Sequence, residues 1–223
     1  MKLRDLVFTA SAVCLFSGLA HATPIIFDAG SAYKTSEVID ASSGADLDGI
    51  EVTACFVSNE CQTVLFDGSL GDGEFGAAIG DGWQLSLQGA DSFNDWFSFQ
   101  TNVAITQLHL NGSPGHIVFD TKTDNNGTPG SNFGTPFEND LFGLIVDFQP
   151  VEVIYSNRVF FDDTFYGDLY TSMTLNFASS GVIGTMEFFT DTDRATTVAV
   201  PAPATMLLLL AGLVGLRMRR SNT

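Results

Sequence analysis

The side chains in this sequence best equipped for chemistry are two histidines and several groups of closely spaced carboxylates. His109 and His116 flank Asn111-Gly-Ser-Pro-Gly115, whose composition reads as a tight turn between two strand-forming runs. A hairpin across that turn would bring the two imidazoles close enough to share a metal ion. The commoner reading of such histidines is a half-buried residue without function. A serine hydrolase would have to recruit one of them, yet no Gly-x-Ser-x-Gly elbow is there to supply the nucleophile. His-Glu-x-x-His and a Walker loop are missing too.

The carboxylates offer two kinds of chemistry. A glycosidase needs two of them flanking the scissile bond, one as acid and one as nucleophile. Asp46-Leu-Asp48-Gly-Ile-Glu51 has the acids, but its first is Asp rather than the longer Glu, and Gly49 interrupts the strand that would aim them. Calcium binding suits Asp46 and Asp48 better. Asp124-Asn-Asn-Gly127 is also rich in oxygen ligands. An EF-hand register fails there, because Gly127 at position six puts Lys122 at position one and Phe133 at position twelve. Asp120 and Asp124 are left as ligands of an irregular site. Asp191 and Asp193 form a further acidic pair. At each place an ordinary turn is the commoner explanation of the acids, since Asp accepts backbone hydrogen bonds in loops. Ca2+ is the one cofactor these groups suggest, and nothing requires it.

A sugar would be held by exposed aromatic rings with polar groups beside them. Trp83, Trp96, Tyr155, Tyr166 and Tyr170 are the candidates, with Trp96 and Tyr170 foremost. Tyr170 falls on the polar face of its run, which predicts exposure, whereas Trp83 falls on an apolar face and reads as core.

Strands must position all of these residues. Leu169, Thr171, Met173, Leu175 and Phe177 alternate with Tyr170, Ser172, Thr174 and Asn176. Trp83 to Gln88 alternates likewise. Residues 96–103, 106–110, 117–120, 141–148, 151–161 and 185–190 are further strand candidates, separated by Gly, Asn, Asp and Pro clusters. No ten-residue helical period precedes residue 204. The expected fold is all-β, an antiparallel β-sandwich of jelly-roll or lectin-like type.

Composition narrows the partners. The 223 residues carry 26 acids against 9 bases, a net charge of -17, which repels phosphate and excludes nucleic acid as a partner. Twenty Phe and only 16% charged residues exclude a disordered chain.

The ends read as addresses. Lys2 and Arg4, an apolar run from Leu6 to Leu19 and Ala20-His21-Ala22 make residues 1–22 a signal peptide for signal peptidase. That leaves a domain over 23–194, a linker over 195–199 and a tail over 200–223. In the tail, Val200-Pro201-Ala202-Pro203 precedes an apolar run to Leu216, closed by Arg217, Arg219 and Arg220. Thirteen apolar residues in a helix span about 20 Å of a hydrocarbon core near 30 Å, so flanking residues or local thinning must complete a membrane crossing. The arginines then stay on the cytoplasmic side. Export also pairs the cysteines: Cys14 leaves with the signal, and Cys55 and Cys61 remain to clip a hairpin through Ser58-Asn59-Glu60.

This tail resembles the PEP-CTERM sorting signal of Gram-negative bacteria, a tail that is also catalogued as an ice-binding protein C-terminal domain. The resemblance maps the Val-Pro-Glu-Pro box onto Val200, Pro201, Ala202 and Pro203, with Ala202 where the family usually has Glu. It implies processing by an exosortase at the inner membrane and a role linked to exopolysaccharide or biofilm. It covers about 24 residues and bears on none of the body's chemistry. The expected function is therefore that of a non-enzymatic, exported protein of the cell surface or extracellular matrix. The alternative is a calcium-assisted carbohydrate-binding module.

Overall fold

The computed structural model describes residues 23–39, 42–71, 73–124, 126–131, 133–139 and 144–197. The signal peptide, the sorting box, the apolar tail and its arginines lie outside these residues. Within them the regular structure is almost all strand: β1 (Ile25–Phe27), β2 (Tyr33–Ile39), β3 (Glu51–Phe56), β4 (Cys61–Leu65), β5 (Phe75–Gly80), β6 (Trp83–Gln88), β7 (Phe97–Asn111), β8 (Ile117–Asp120), β9 (Glu152–Phe161), β10 (Leu169–Asn176), β11 (Val182–Phe188) and β12 (Asp191–Thr197). The expectation of an all-β body holds. No helix among the described residues is long and apolar enough to cross a membrane.

β10 organises the sheet. One edge pairs antiparallel with β9, from Tyr170 opposite Arg158 to Asn176 opposite Glu152. The other edge takes β7 and then β8, both antiparallel. The chain therefore keeps its direction through Asn111–Gly115, and the expected hairpin there is corrected. A short 3-10 turn at Ser113–Gly115 lets the chain step out and return. Gly112 N–H donates to Thr171 O and Ile117 N–H donates to Gly112 O, so pairing resumes on the far side of the step. Pro114 sits where its missing N–H costs nothing.

A second correction concerns strand direction. β1 and β2 both pair parallel to β9, one after the other along the same edge. Gly30 and Asn157 manage the break between them. Asn157 is left-handed (φ 63) and its Oδ1 accepts from Ser31 N–H at 2.8 Å. Gly30 is left-handed as well (φ +46), and a Cβ there would lie 2.5 Å from that oxygen. The sheet is thus mixed rather than purely antiparallel.

β2 then pairs with β12, and β12 with β8. The pairings β8–β10–β9–β2–β12 return to β8, closing a ring of five strands. Val118, Leu169, Val159, Val38 and Ala195, one from each strand, form its buried apolar cluster. Closure removes the strand edges that an open sheet would leave. β12 runs to Thr197, three residues into the stretch read as linker.

The larger core lies under β3, β6, β7, β10 and β11. Phe97 stacks on Phe188, and Phe99 on Phe177, at centroid distances of 5.3 and 6.1 Å. Trp83 is core, as its apolar face predicts, and its Nε1–H donates to Gln62 Oε1 at 2.8 Å. β3 and β4 form the expected hairpin. Cys55 and Cys61 stand opposite each other in its register and are joined by a disulfide, with Asn59 left-handed (φ 64) in the turn.

Candidate functional site

The structure separates the carboxylates that lie close in sequence. Asp46 Oδ2 accepts from Ser43 N–H and its hydroxyl, while Oδ1 pairs with Arg194 at 3.1 Å. Asp48 accepts from Gly68 N–H, and Glu51 from Asn111 Nδ2. Asp46, Asp48 and Glu51 therefore each serve a different local partner rather than one another. Asp124 is an exposed turn residue that accepts from Asn126 N–H and pairs with Lys122 at 3.6 Å. These contacts hold its carboxyl below the ordinary range, the backbone hydrogen bond most of all.

The histidines do not meet. His109 Nδ1 is 2.8 Å from Thr174 Oγ1 on β10, and burial lowers its pKa against the weaker, opposing pull of Glu51. His116 is left-handed (φ 59), at the end of the 3-10 turn, with Nδ1 3.5 Å from Tyr33 Oη. Tyr170 is buried at 3% exposure, contrary to the expectation from its polar face. β10 has partners on both edges and buried residues on both faces, so alternation does not mark a solvent side there. Its ring packs among Phe27, Tyr155 and Phe165. Trp96 is exposed and meets Phe189 edge-on.

Sequence reasoning missed one spacing, Gly71-x-Gly73-x-x-Gly76. It leads into β5, so no helix N-terminus is there to take a phosphate.

What the fold does assemble is Asp120 with Asp191 and Asp193. Asp120 ends β8 and stands opposite Asp191, the first residue of β12. Asp193 lies opposite Val118, on the same face. Each offers a carboxylate oxygen, and these oxygens lie within 4.8 Å of one another. All three residues are at most 1% exposed. Carboxylates this close lie beneath the surface, where no glycan reaches, so they do not make a glycosidase cleft.

The loop after β8 covers them. Lys122 N–H donates to Asp120 Oδ1 at 2.9 Å. Ser131 Oγ bridges Asp120 Oδ2 and Asp193 Oδ2, the latter at 2.5 Å. Gly134 packs so tightly that a Cβ would lie 2.2 Å from the Asp120 carboxyl carbon. On the other side, Ser92 Oγ reaches Asp191 Oδ1 at 3.2 Å. Asp191 Oδ2 has no hydrogen-bond partner. Burial and the charge of Asp120 push the Asp191 pKa up to about 7, with a smaller push from Asp91. Beside the cluster, Tyr155 Oη accepts from Phe137 N–H and meets Thr190 Oγ1 at 2.9 Å. Its phenol is buried and its pKa is driven well above the ordinary value.

The sequence singled out Asp120 and noted the pair Asp191 and Asp193. Only strand register joins them, across about 70 residues. The Asp191-x-Asp193-x-Ala195 alternation, which sets two acids in line with a core residue, was the signal available.

Compared with protein-family models, curated proteins and solved structures, the chain matches none.

Proposed function

We propose that this is an exported, non-enzymatic β protein of the cell surface or extracellular matrix. It is held at the inner membrane by its C-terminal apolar segment, processed there by an exosortase, and works alongside exopolysaccharide. We read the body as a sandwich-like β domain with one end rolled into the five-strand ring.

The Cys55–Cys61 disulfide is the observation that carries this reading. A disulfide persists in an oxidising compartment and is rare in the cytosol. It agrees with a signal peptide over residues 1–22 and with an export-directed tail. Between the two ends, four basic residues face 25 acids, a charge that keeps the released body soluble and self-repelling among polymers.

Replacing Arg217, Arg219 and Arg220 by Gln removes the positive cytoplasmic flank that orients the segment. The expected result is a severalfold loss of protein from the membrane and surface fractions. Unchanged fractionation of the triple variant would count against sorting by this tail.

A further inference from the structure

Three carboxylates buried in one place present an electrostatic problem. Each is shielded from water, and at neutral pH each ionised oxygen repels the others. The body's four cations are engaged elsewhere: Lys34 with Asp163, Lys122 with Asp124, Arg194 with Asp46, and Arg158 over the Phe165 ring at 5.0 Å.

Two further observations point to what completes the group. Asp191, 1% exposed, has a carboxylate oxygen within 4.8 Å of those of Asp120 and Asp193, and its Oδ2 is without a hydrogen-bond partner. A buried acceptor of this kind is costly unless something positive reaches it. Ser131 Oγ, meanwhile, touches two carboxylates, yet a hydroxyl has one proton and can donate to only one of them. Its remaining capacity is as an oxygen donor.

We propose that Asp120, Asp191 and Asp193, with Ser131 Oγ, form a buried site for one Ca2+ ion. The donor set is all oxygen, with neither sulfur nor imidazole, which suits a hard divalent cation. Ca2+ holds its ligands at roughly 2.3–2.6 Å, so one ion can span oxygens up to about 4.8 Å apart. The three carboxylate oxygens fall within that limit without moving a strand. The ion's role is structural. It ties the loop carrying Ser131 to β8 and β12, where the five-strand ring closes. Because the carboxylates are buried, the ion has no face to offer a glycan, which separates it from a sugar-bridging calcium.

The test uses the whole protein, stripped with EDTA and then titrated. Ca2+ should raise the thermal midpoint by roughly 5–10 °C at a hundredfold excess over Kd. Native mass spectrometry should show one ion per chain. Tb3+ should give tyrosine-sensitised emission through Tyr155, and Ca2+ should displace it. Asp191→Asn should lose the shift and weaken binding at least tenfold, while Asp124→Asn keeps both. If Asp191→Asn fails to fold, the wild-type stoichiometry and Tb3+ displacement decide the matter alone. A flat wild-type titration, a shift with Mg2+ but none with Ca2+, or full retention in Asp191→Asn overturns the site. Each readout is independent of how the protein is sorted.

Discussion

Between pH 4 and pH 7 the EDTA-treated protein will lose roughly 3 kcal/mol of stability at Asp191 that an Asp191→Asn variant will keep. Burial is the main cause, and the charge of Asp120 adds to it; together they lift the folded-state pKa to about 7 from an ordinary value of 3.8. A raised pKa means that the folded chain binds its proton more tightly than the unfolded chain does. The contribution is therefore complete below pH 3.8 and is lost as pH rises through about 7. Asn stays neutral throughout, so the variant should be the more stable of the two at pH 7 without calcium. Urea unfolding of both proteins across this range measures the difference. Parallel pH profiles for the two would show that Asp191 is ionised freely and that the cluster is not strained.

Phe99→Ala should cost about 3–5 kcal/mol and lower the thermal midpoint by roughly 10 °C. Phe99 is fully buried on β7, stacked on Phe177 with an interplanar angle of 9° and meeting Phe148 edge-on at 88°. Removing it opens a cavity against rings from two other segments, Phe148 and Phe177, in a close-packed core. Phe93, 40% exposed, provides the contrast, and Phe93→Ala should change stability little. Equal effects at the two positions would contradict the core as described. Differential scanning calorimetry reads both.

The sequence was legible wherever a strand keeps to one core. β6 has Trp83, Leu85 and Leu87 buried and Gln84 and Ser86 half-exposed, so its alternation is visible. β7 reads as two strands because Asn102 to Ala104 break the period. The register against β11 also shifts there, between Val182 and Gly184. β2 and β12 escape notice because they are polar: YKTSEVI and DTDRATT bury Thr35, Asp191 to Asp193 and little apolar area. Their place is fixed by ring closure, a long-range pairing that no local pattern reports. The turn at Asn111–Gly115 has hairpin chemistry, but β10 supplies partners on both sides of it, and tertiary pairing overrides the local signal. The same central strand buries Tyr170. The acidic cluster follows this rule: Asp120 is visible as a carboxylate in a polar stretch, and its neighbours are decided by the register of β12 on β8.

The most direct test of the account is the intact mass of the protein recovered from the surface and membrane fractions of its native cells. The account predicts a chain that begins at Thr23, has lost the apolar tail at or just beyond Val200–Pro203, and is two hydrogens lighter for the Cys55–Cys61 disulfide. A full-length chain of 223 residues, recovered from the cytosol with both thiols free, would contradict it.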